Sequence, residues 1–333
     1  MGPCPLVYWG AEGLWRVDFF GYVWYNMVIK LKGNAMIYLE SFRLASEDDE
    51  TNYLLGTDDL KKGRKLDMTC YSVNNPYPFK IFPFKHLKRL EFSPITLLYG
   101  GNGSGKSTVL NIIAQKLSLA RTSPFNRTPF FEDYLGFCRA YTVGDRNPPA
   151  GSCIITSDDV FDFMLNLRTL NEGVDRNREA LFEEWRKLRD SSFQMRSLED
   201  LEELKHRRDA WNNTRSDFTA RRLPPNIHGQ SNGESAYGYF ADKIRGNALY
   251  LLDEPENSLS AERQAELATF IEESARFYGC QFIISTHSPF LLALRGARIY
   301  DLDASPVAVK PWTELPNVRL YFEFFEEHRG EFL

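Results

Sequence analysis

The sequence predicts an α/β protein, a mostly parallel sheet flanked by helices and interrupted by a helical insertion. Three observations carry this. Ile95 to Tyr99 is a short, mostly apolar run ending in glycines, the pattern of a buried parallel strand. Strand-like and helix-like stretches then alternate toward the C-terminus. Between them, from Val160 to Arg222, the composition shifts to charged residues with apolar ones at helical spacing.

Residues 1–35 stand apart. Trp9, Trp15, Phe19, Phe20 and Trp24 crowd this segment, but Glu12, Arg16 and Asp18 interrupt it. The charges break any membrane span, and no basic start leads into a clean apolar run as in a signal peptide. The segment is atypical, and the native start is expected at Met36, with Lys32-Gly33 encoded by a purine-rich, ribosome-site-like stretch. The alternative is an extra hairpin or a partner-docking segment. Residues 36–159 form the first part of the domain. Ile37 to Leu44, Leu87 to Phe92, Ile95 to Tyr99 and Ser152 to Ile155 read as strands, and Lys106 to Leu117 as a helix.

Residues 160–230 form the insertion. Leu181, Trp185 and Leu188 share one helical face, as do Leu198, Leu201 and Leu204. Ser197 and Asp200 suit a helix cap, and Glu183 with Lys187 and Glu203 with Arg207 are favourable pairs. The basic clusters at 205–208 and 221–222 read as solvated faces. Residues 231–333 complete the domain: strands at Ala248 to Leu252, Gln281 to Ser285 and Ala297 to Asp301, and a helix from Ala261 to Phe277.

Composition bounds the function. With 43% hydrophobic and 26% charged residues, the chain has ample core material. A net charge of -5 gives no global basic field, so DNA binding is unsupported by charge, though a local patch stays open. Five cysteines without a C-x-x-C pair read as reduced thiols of a cytoplasm rather than a disulfide framework or zinc site. No apolar run reaches the roughly 18 residues of a membrane helix.

Gly100-Gly101-Asn102-Gly103-Ser104-Gly105-Lys106-Ser107-Thr108 fits G-x-x-x-x-G-K-[ST]. Glycines let backbone N–H groups turn around phosphate oxygens, and the following helix offers its positive end. Lys106 is expected on the β- and γ-phosphates and Ser107 on Mg²⁺. The strand before the loop and the helix after it supply the required context. The apolar run 249–252 ends in Asp253-Glu254-Pro255, which places two acids at the carboxyl end of a parallel strand, facing the ligand crevice. Asp253 is the metal candidate and Glu254 the candidate general base. No N-K-x-D motif is present, which favours ATP over GTP.

Ser231-Asn232-Gly233-Glu234 lies 22 positions before Asp253, and His287 lies 34 positions after it in Ser285-Thr286-His287-Ser288-Pro289. With these four motifs in this order the chain resembles the ABC-type ATPases in their SMC-like and RecF-like form, and the small bacterial AAA-family ATP-binding proteins. The resemblance runs from about Ile37 to Asp303. It implies that Ser231 and Gly233 reach a nucleotide held by a second subunit, that His287 contacts the γ-phosphate, and that Pro255 to Leu259 crosses the dimer interface. Ser231-x-x-Glu234 also describes a capping box, and both readings predict a helix N-terminus. Asn232 and Glu234 depart from the common signature. The family's glutamine after an early strand has no obvious counterpart; Asp158 and Asp159 stand there, as phosphate or metal sensors or as caps of the following helix. Phe79, Phe82 and Phe84 are candidates for the adenine platform or for core packing. The insertion is far too short for a full SMC coiled coil.

The resemblance implies an ATPase forming a homodimer around ATP and Mg²⁺ and driving a separate effector protein, in genome maintenance or anti-phage defence. The alternatives are a nucleotide-gated binding switch with little turnover and the ATP-binding subunit of a transporter.

Overall fold

The computed structural model describes residues 36–54, 76–190, 192–194, 197, 200–223 and 232–332. The readings made on residues 1–35, on Leu198, on 224–230 of the insertion and on Ser231 lie outside the described residues. The strands are β1 (Leu39–Arg43), β2 (Arg89–Glu91), β3 (Ile95–Tyr99), β4 (Arg139–Thr142), β5 (Cys153–Thr156), β6 (Leu249–Asp253), β7 (Gln281–Ser285), β8 (Arg298–Asp301) and β9 (Ala308–Val309). The helices are α1 (Glu47–Leu54), α2 (Lys106–Lys116), α3 (Phe131–Phe137), α4 (Ser157–Asp190), α5 (Leu201–Asn212), α6 (Arg215–Ala220), α7 (Asn232–Lys243), α8 (Ala261–Phe277), α9 (Pro289–Leu292) and α10 (Pro316–Glu327).

The central sheet has the order β5-β6-β7-β3-β8-β9. Every pair is parallel except the last. Register aligns the strand ends: Thr156 sits opposite Asp253, Asp253 opposite Ser285, Leu98 opposite Ser285 and Tyr99 opposite Asp301. Residues more than a hundred positions apart therefore end at one edge, where ligands of open parallel sheets bind.

The inner strands are buried throughout, because helices cover both faces. Leu98, Leu249, Leu251 and Ile283 point to one side and pack with α2. Leu97, Tyr99, Leu252, Phe282 and Ile284 point to the other and pack with α7 and α8. A second, antiparallel sheet, β2-β1-β4, joins the α2 side. Gln281, fully buried, ties the two sheets together. Its side-chain oxygen accepts from Tyr38 N and Leu39 N at 2.7 and 2.9 Å, and its nitrogen donates to Leu39 O and Ser93 O at 2.9 and 3.3 Å. All four of its hydrogen-bonding positions are thus used.

Between β5 and β6 the chain leaves the sheet as helices. The 34 residues of α4 span about 50 Å at 1.5 Å per residue. Its start lies slightly before the expected Val160, because Thr156 and Asp159 bond reciprocally around the first turn. Trp185 Nε1 donates to Asn213 O at 3.3 Å, and Arg215 stacks on Phe182 at 4.4 Å, holding α5 and α6 against α4. The expected Glu203–Arg207 pair forms at 2.8 Å. Among the described residues no helix is long and apolar enough to cross a membrane.

Candidate nucleotide site

The loop between β3 and α2 is shaped by glycine. Gly105 (φ 97°) begins α2, with no side chain capping that helix. A Cβ there would press on Ile81 and Phe82 at 3.2 Å. Gly100 (φ 153°) is tighter still, since a Cβ would lie 2.7 Å from Ser104 Oγ. That hydroxyl is buried without a hydrogen-bond partner among the described residues, so the loop holds a donor suited to an added anion. Asn102 and Gly103 lie exposed at the tip, and Thr108 is buried, accepting from Tyr77 OH at 3.3 Å.

Lys106 is 4% exposed and its ammonium is the hub of the site. It donates to Gly100 O at 2.8 Å, to Gly101 O at 3.2 Å and to His287 Nε2 at 2.7 Å. As Lys106 has only donors, His287 Nε2 must be the acceptor, which puts the imidazole proton of the neutral ring on Nδ1. Glu254 Oε1 lies 3.5 Å from both Lys106 Nζ and His287 Nε2.

The carboxylate pair divides its work by position. Asp253 Oδ1 accepts from Ser107 Oγ at 3.0 Å and from Ser285 Oγ. Burial pushes the Asp253 carboxyl above its ordinary value, while the two hydroxyls pull it back. A buried carboxylate beside a serine hydroxyl is a hard-oxygen pair that fits Mg²⁺, which takes one or two carboxylates and completes its shell with phosphate and water. Among the described residues no three-residue His, Cys, Asp or Glu cage competes for a metal. Glu254 occupies the left-handed region (φ 49°, ψ 54°), which costs a non-glycine residue about 1–2 kcal/mol. Its N–H is held by Ser285 O at 3.0 Å and its Oε2 by Asn257 Nδ2 at 3.0 Å. Such imposed backbone strain is typical of functional positions.

Gly100 to Thr108, Asp253, Glu254 and His287 therefore gather at one sheet edge. Gly233 lies in the first turn of α7. Glu234 pairs with Arg263 of α8 at 3.2 Å, joining those helices. Asp158 is exposed, whereas Asp159 is buried and bonded to Ser123 N and Oγ at 2.8 and 2.7 Å and to Thr156 N and Oγ1 at 2.7 and 2.8 Å. Asp159 is thereby committed to anchoring the start of α4. Phe79 and Phe82 are core residues, and Phe84 is 75% exposed.

Three contributors escape a reading by motif. Ser285 supports both acids from the end of β7. Asp303 Oδ2 accepts from Gly101 N at 2.5 Å and fixes the entry of the loop. Glu256 is buried, raised by burial against the pull of backbone donors, and its Oε1 accepts from His287 N at 2.5 Å. Ser285 and Glu256 fall within stretches quoted from the sequence, 285–289 and 255–259, whereas Asp303 lies outside any motif.

Comparison with known proteins adds two family matches. Residues 166–293 match the model described as AAA domain, putative AbiEii toxin, Type IV TA system, and residues 79–137 match a second AAA domain model. No curated protein matches the chain. Similar solved structures include an SMC head bound to the C-terminal winged-helix domain of ScpA, with 18% identity, 67% of this chain and 92% of that chain covered, and TM-score 0.35. An Smc head with an extended coiled coil bound to the C-terminal domain of ScpA, derived from Pyrococcus furiosus, shows 15% identity, 72% and 95% coverage and TM-score 0.34. The dimeric MJ0796, a bacterial ABC transporter cassette, shows 14% identity, 68% and 90% coverage and TM-score 0.34. AAA-domain models thus match both the stretch that carries the phosphate loop and the stretch that carries Asp253, Glu254 and His287.

Proposed function

We propose that the chain binds ATP with Mg²⁺ and hydrolyses it between two copies of itself, using the resulting change to act on a separate effector. The observation that carries this reading is the single cluster of Lys106, Ser107, Asp253, Glu254 and His287 at the C-terminal edge of the parallel sheet.

In this reading the backbone of Gly100 to Lys106 and the N-terminus of α2 cradle the phosphates. Ser107 and Asp253 would hold Mg²⁺, which when bound would supply charge neutralisation for the phosphates. Lys106 exchanges its contacts to Glu254 and His287 for phosphate. Glu254 then accepts a proton from the attacking water, and His287 steadies the γ-phosphate. Ser231 and Gly233 of one copy close over the nucleotide of the other, and hydrolysis loosens the pair. The base of α4 packs against the turn that follows Glu254, a route by which the helical insertion follows the change. Genome maintenance and defence against phage are settings by analogy alone.

The test is steady-state phosphate release by the purified full chain, alone and with DNA or neighbouring gene products. Turnover abolished by Lys106→Ala and by Glu254→Gln supports the enzyme. Tight ATP binding without turnover in any mixture leaves a nucleotide-gated switch instead.

A further inference from the structure

We infer that Glu256 is a positioning residue for His287, acting through the backbone of the switch loop 286–288. The consequence for turnover rests on the ATPase reading, whereas the anchor itself stands on geometry alone.

The Glu256 side chain is nine-tenths buried on the turn directly after Glu254. One carboxylate oxygen, Oε1, gathers three donors from consecutive residues: Thr286 Oγ1 at 2.8 Å, His287 N at 2.5 Å and Ser288 N at 3.2 Å. The other oxygen, Oε2, is buried with no partner among the described residues. For stability alone this is a poor arrangement, because a buried acceptor left unsatisfied is costly and, among the described residues, no Lys or Arg side chain pairs with Glu256. What it supplies is direction. Charge-assisted bonds to backbone N–H groups fix peptide planes, and the plane entering His287 determines where its imidazole points. That imidazole meets Lys106 Nζ at 2.7 Å.

Further bonds close the arrangement. Ser288 Oγ donates to Gln264 Oε1 at 2.7 Å, and Gln264 Nε2 donates to Leu259 O at 2.9 Å, so the turn and the switch loop are linked a second time. On its other side, His287 O accepts from Asn317 Nδ2 at 3.4 Å. The His287 backbone is thus held at its N–H by Glu256 and at its C=O by α10. The turn carrying Glu256 also packs against α4, so the anchor lies between the helical insertion and the histidine.

The test combines amide hydrogen exchange over residues 286–290 with ATP turnover, on the full chain carrying Glu256→Ala or Glu256→Gln. In Glu256→Ala, exchange at 287 and 288 should rise about tenfold or more, the scale of one lost charge-assisted bond. Its kcat should fall about tenfold, while KM for ATP stays within about twofold, because the phosphate cradle is untouched. Glutamine keeps an acceptor oxygen and should restore most of both. If Glu256→Ala does not fold, Glu256→Asp, one methylene short of its donors, takes its place under the same criteria. Wild-type exchange at 287 and 288 in the impaired variant overturns the assignment. So does a kcat loss that tracks only a lower melting temperature, or equal impairment by glutamine and alanine. A wild type without turnover would remove the ATPase reading and leave exchange to decide the anchor.

Discussion

Glu254→Gln separates catalysis from binding with one nearly isosteric change. The carbonyl oxygen of glutamine keeps the acceptor for Asn257 Nδ2, now at 3.0 Å, and the backbone remains held by Ser285, so the fold should be unaffected. Only the charge is lost, with two consequences of opposite sign. Loss of a general base lowers the rate by about 10²- to 10⁴-fold, or about 3–5 kcal/mol on the barrier. Binding moves the other way. At 3.5 Å from Lys106, an effective dielectric near 20 gives an attraction of about 5 kcal/mol. Glu254 is 27% exposed, and screening of the pair leaves about 1 kcal/mol in practice. Phosphate must displace that attraction, so ATP should bind about fivefold tighter to the variant. Phosphate release at saturating ATP, titration with a fluorescent ATP analogue and gel filtration with ATP read the three outcomes: slow turnover, tighter binding and an accumulated dimer. Equal turnover by wild type and variant rejects Glu254 as the base. Unchanged or weaker affinity rejects its competition with phosphate for Lys106.

Lys106→Ala should fold normally and lose about 10- to 100-fold in ATP affinity, the scale of one or two charged hydrogen bonds, as read by calorimetry. Because the gain in Glu254→Gln acts through Lys106, the double variant should bind no tighter than Lys106→Ala; additive effects would show that the gain has another origin. Asp253→Asn should raise the Mg²⁺ concentration for half-maximal turnover about tenfold or more, and an unchanged Mg²⁺ profile would exclude Asp253 as a metal ligand. Away from the site, burial pushes Glu50 up to about 7 from 4.5, against a bond from Lys80 N at 2.6 Å. The folded chain therefore keeps a proton that the unfolded chain releases, so this contribution is full below pH 4.5 and is lost as pH rises through about 7. The loss is roughly 3 kcal/mol, and urea unfolding of wild type and Glu50→Gln at pH 5 and pH 8 should diverge by about that amount, whereas parallel profiles would refute it.

The parts of the fold legible in sequence are those whose cause is local. Ile95–Tyr99 and Gln281–Ser285 are buried on both faces, so each is an apolar run, and its limits follow from composition. The helix Ala261–Phe277 follows from its own composition, and Ser260 Oγ accepts from Arg263 N at its start. β4 was not legible, because it is a half-exposed strand with weak alternation. Its pairing with β1 joins segments about a hundred residues apart. The same holds at the site. The phosphate loop and the two acids are contiguous, so their chemistry is written in short motifs. The Glu256 anchor depends on donors 30 to 32 positions away, and the Asp303 contact spans 202 positions. No local period encodes either one. Asp159 was open to two readings, a sensor or a cap of the following helix, and its reciprocal bonds with Thr156 are those of the cap, while the bonds from Ser123, 36 positions away, could not be read locally.

The central position of Lys106 gives the site an order of events. Its ammonium is shared among two backbone carbonyls, the His287 ring and the Glu254 carboxylate. While it is so engaged, the acid meant to take a proton is neutralised and the histidine lone pair is occupied. A triphosphate competes for the same ammonium with more negative charge and a preformed cradle. In the proposed mechanism, one exchange of partners would then free Glu254 to accept a proton and His287 to turn toward the phosphate, with the peptide of His287 held by Glu256. Under that mechanism, activation of the base would be tied to arrival of the phosphate through a single cation, without a separate signal.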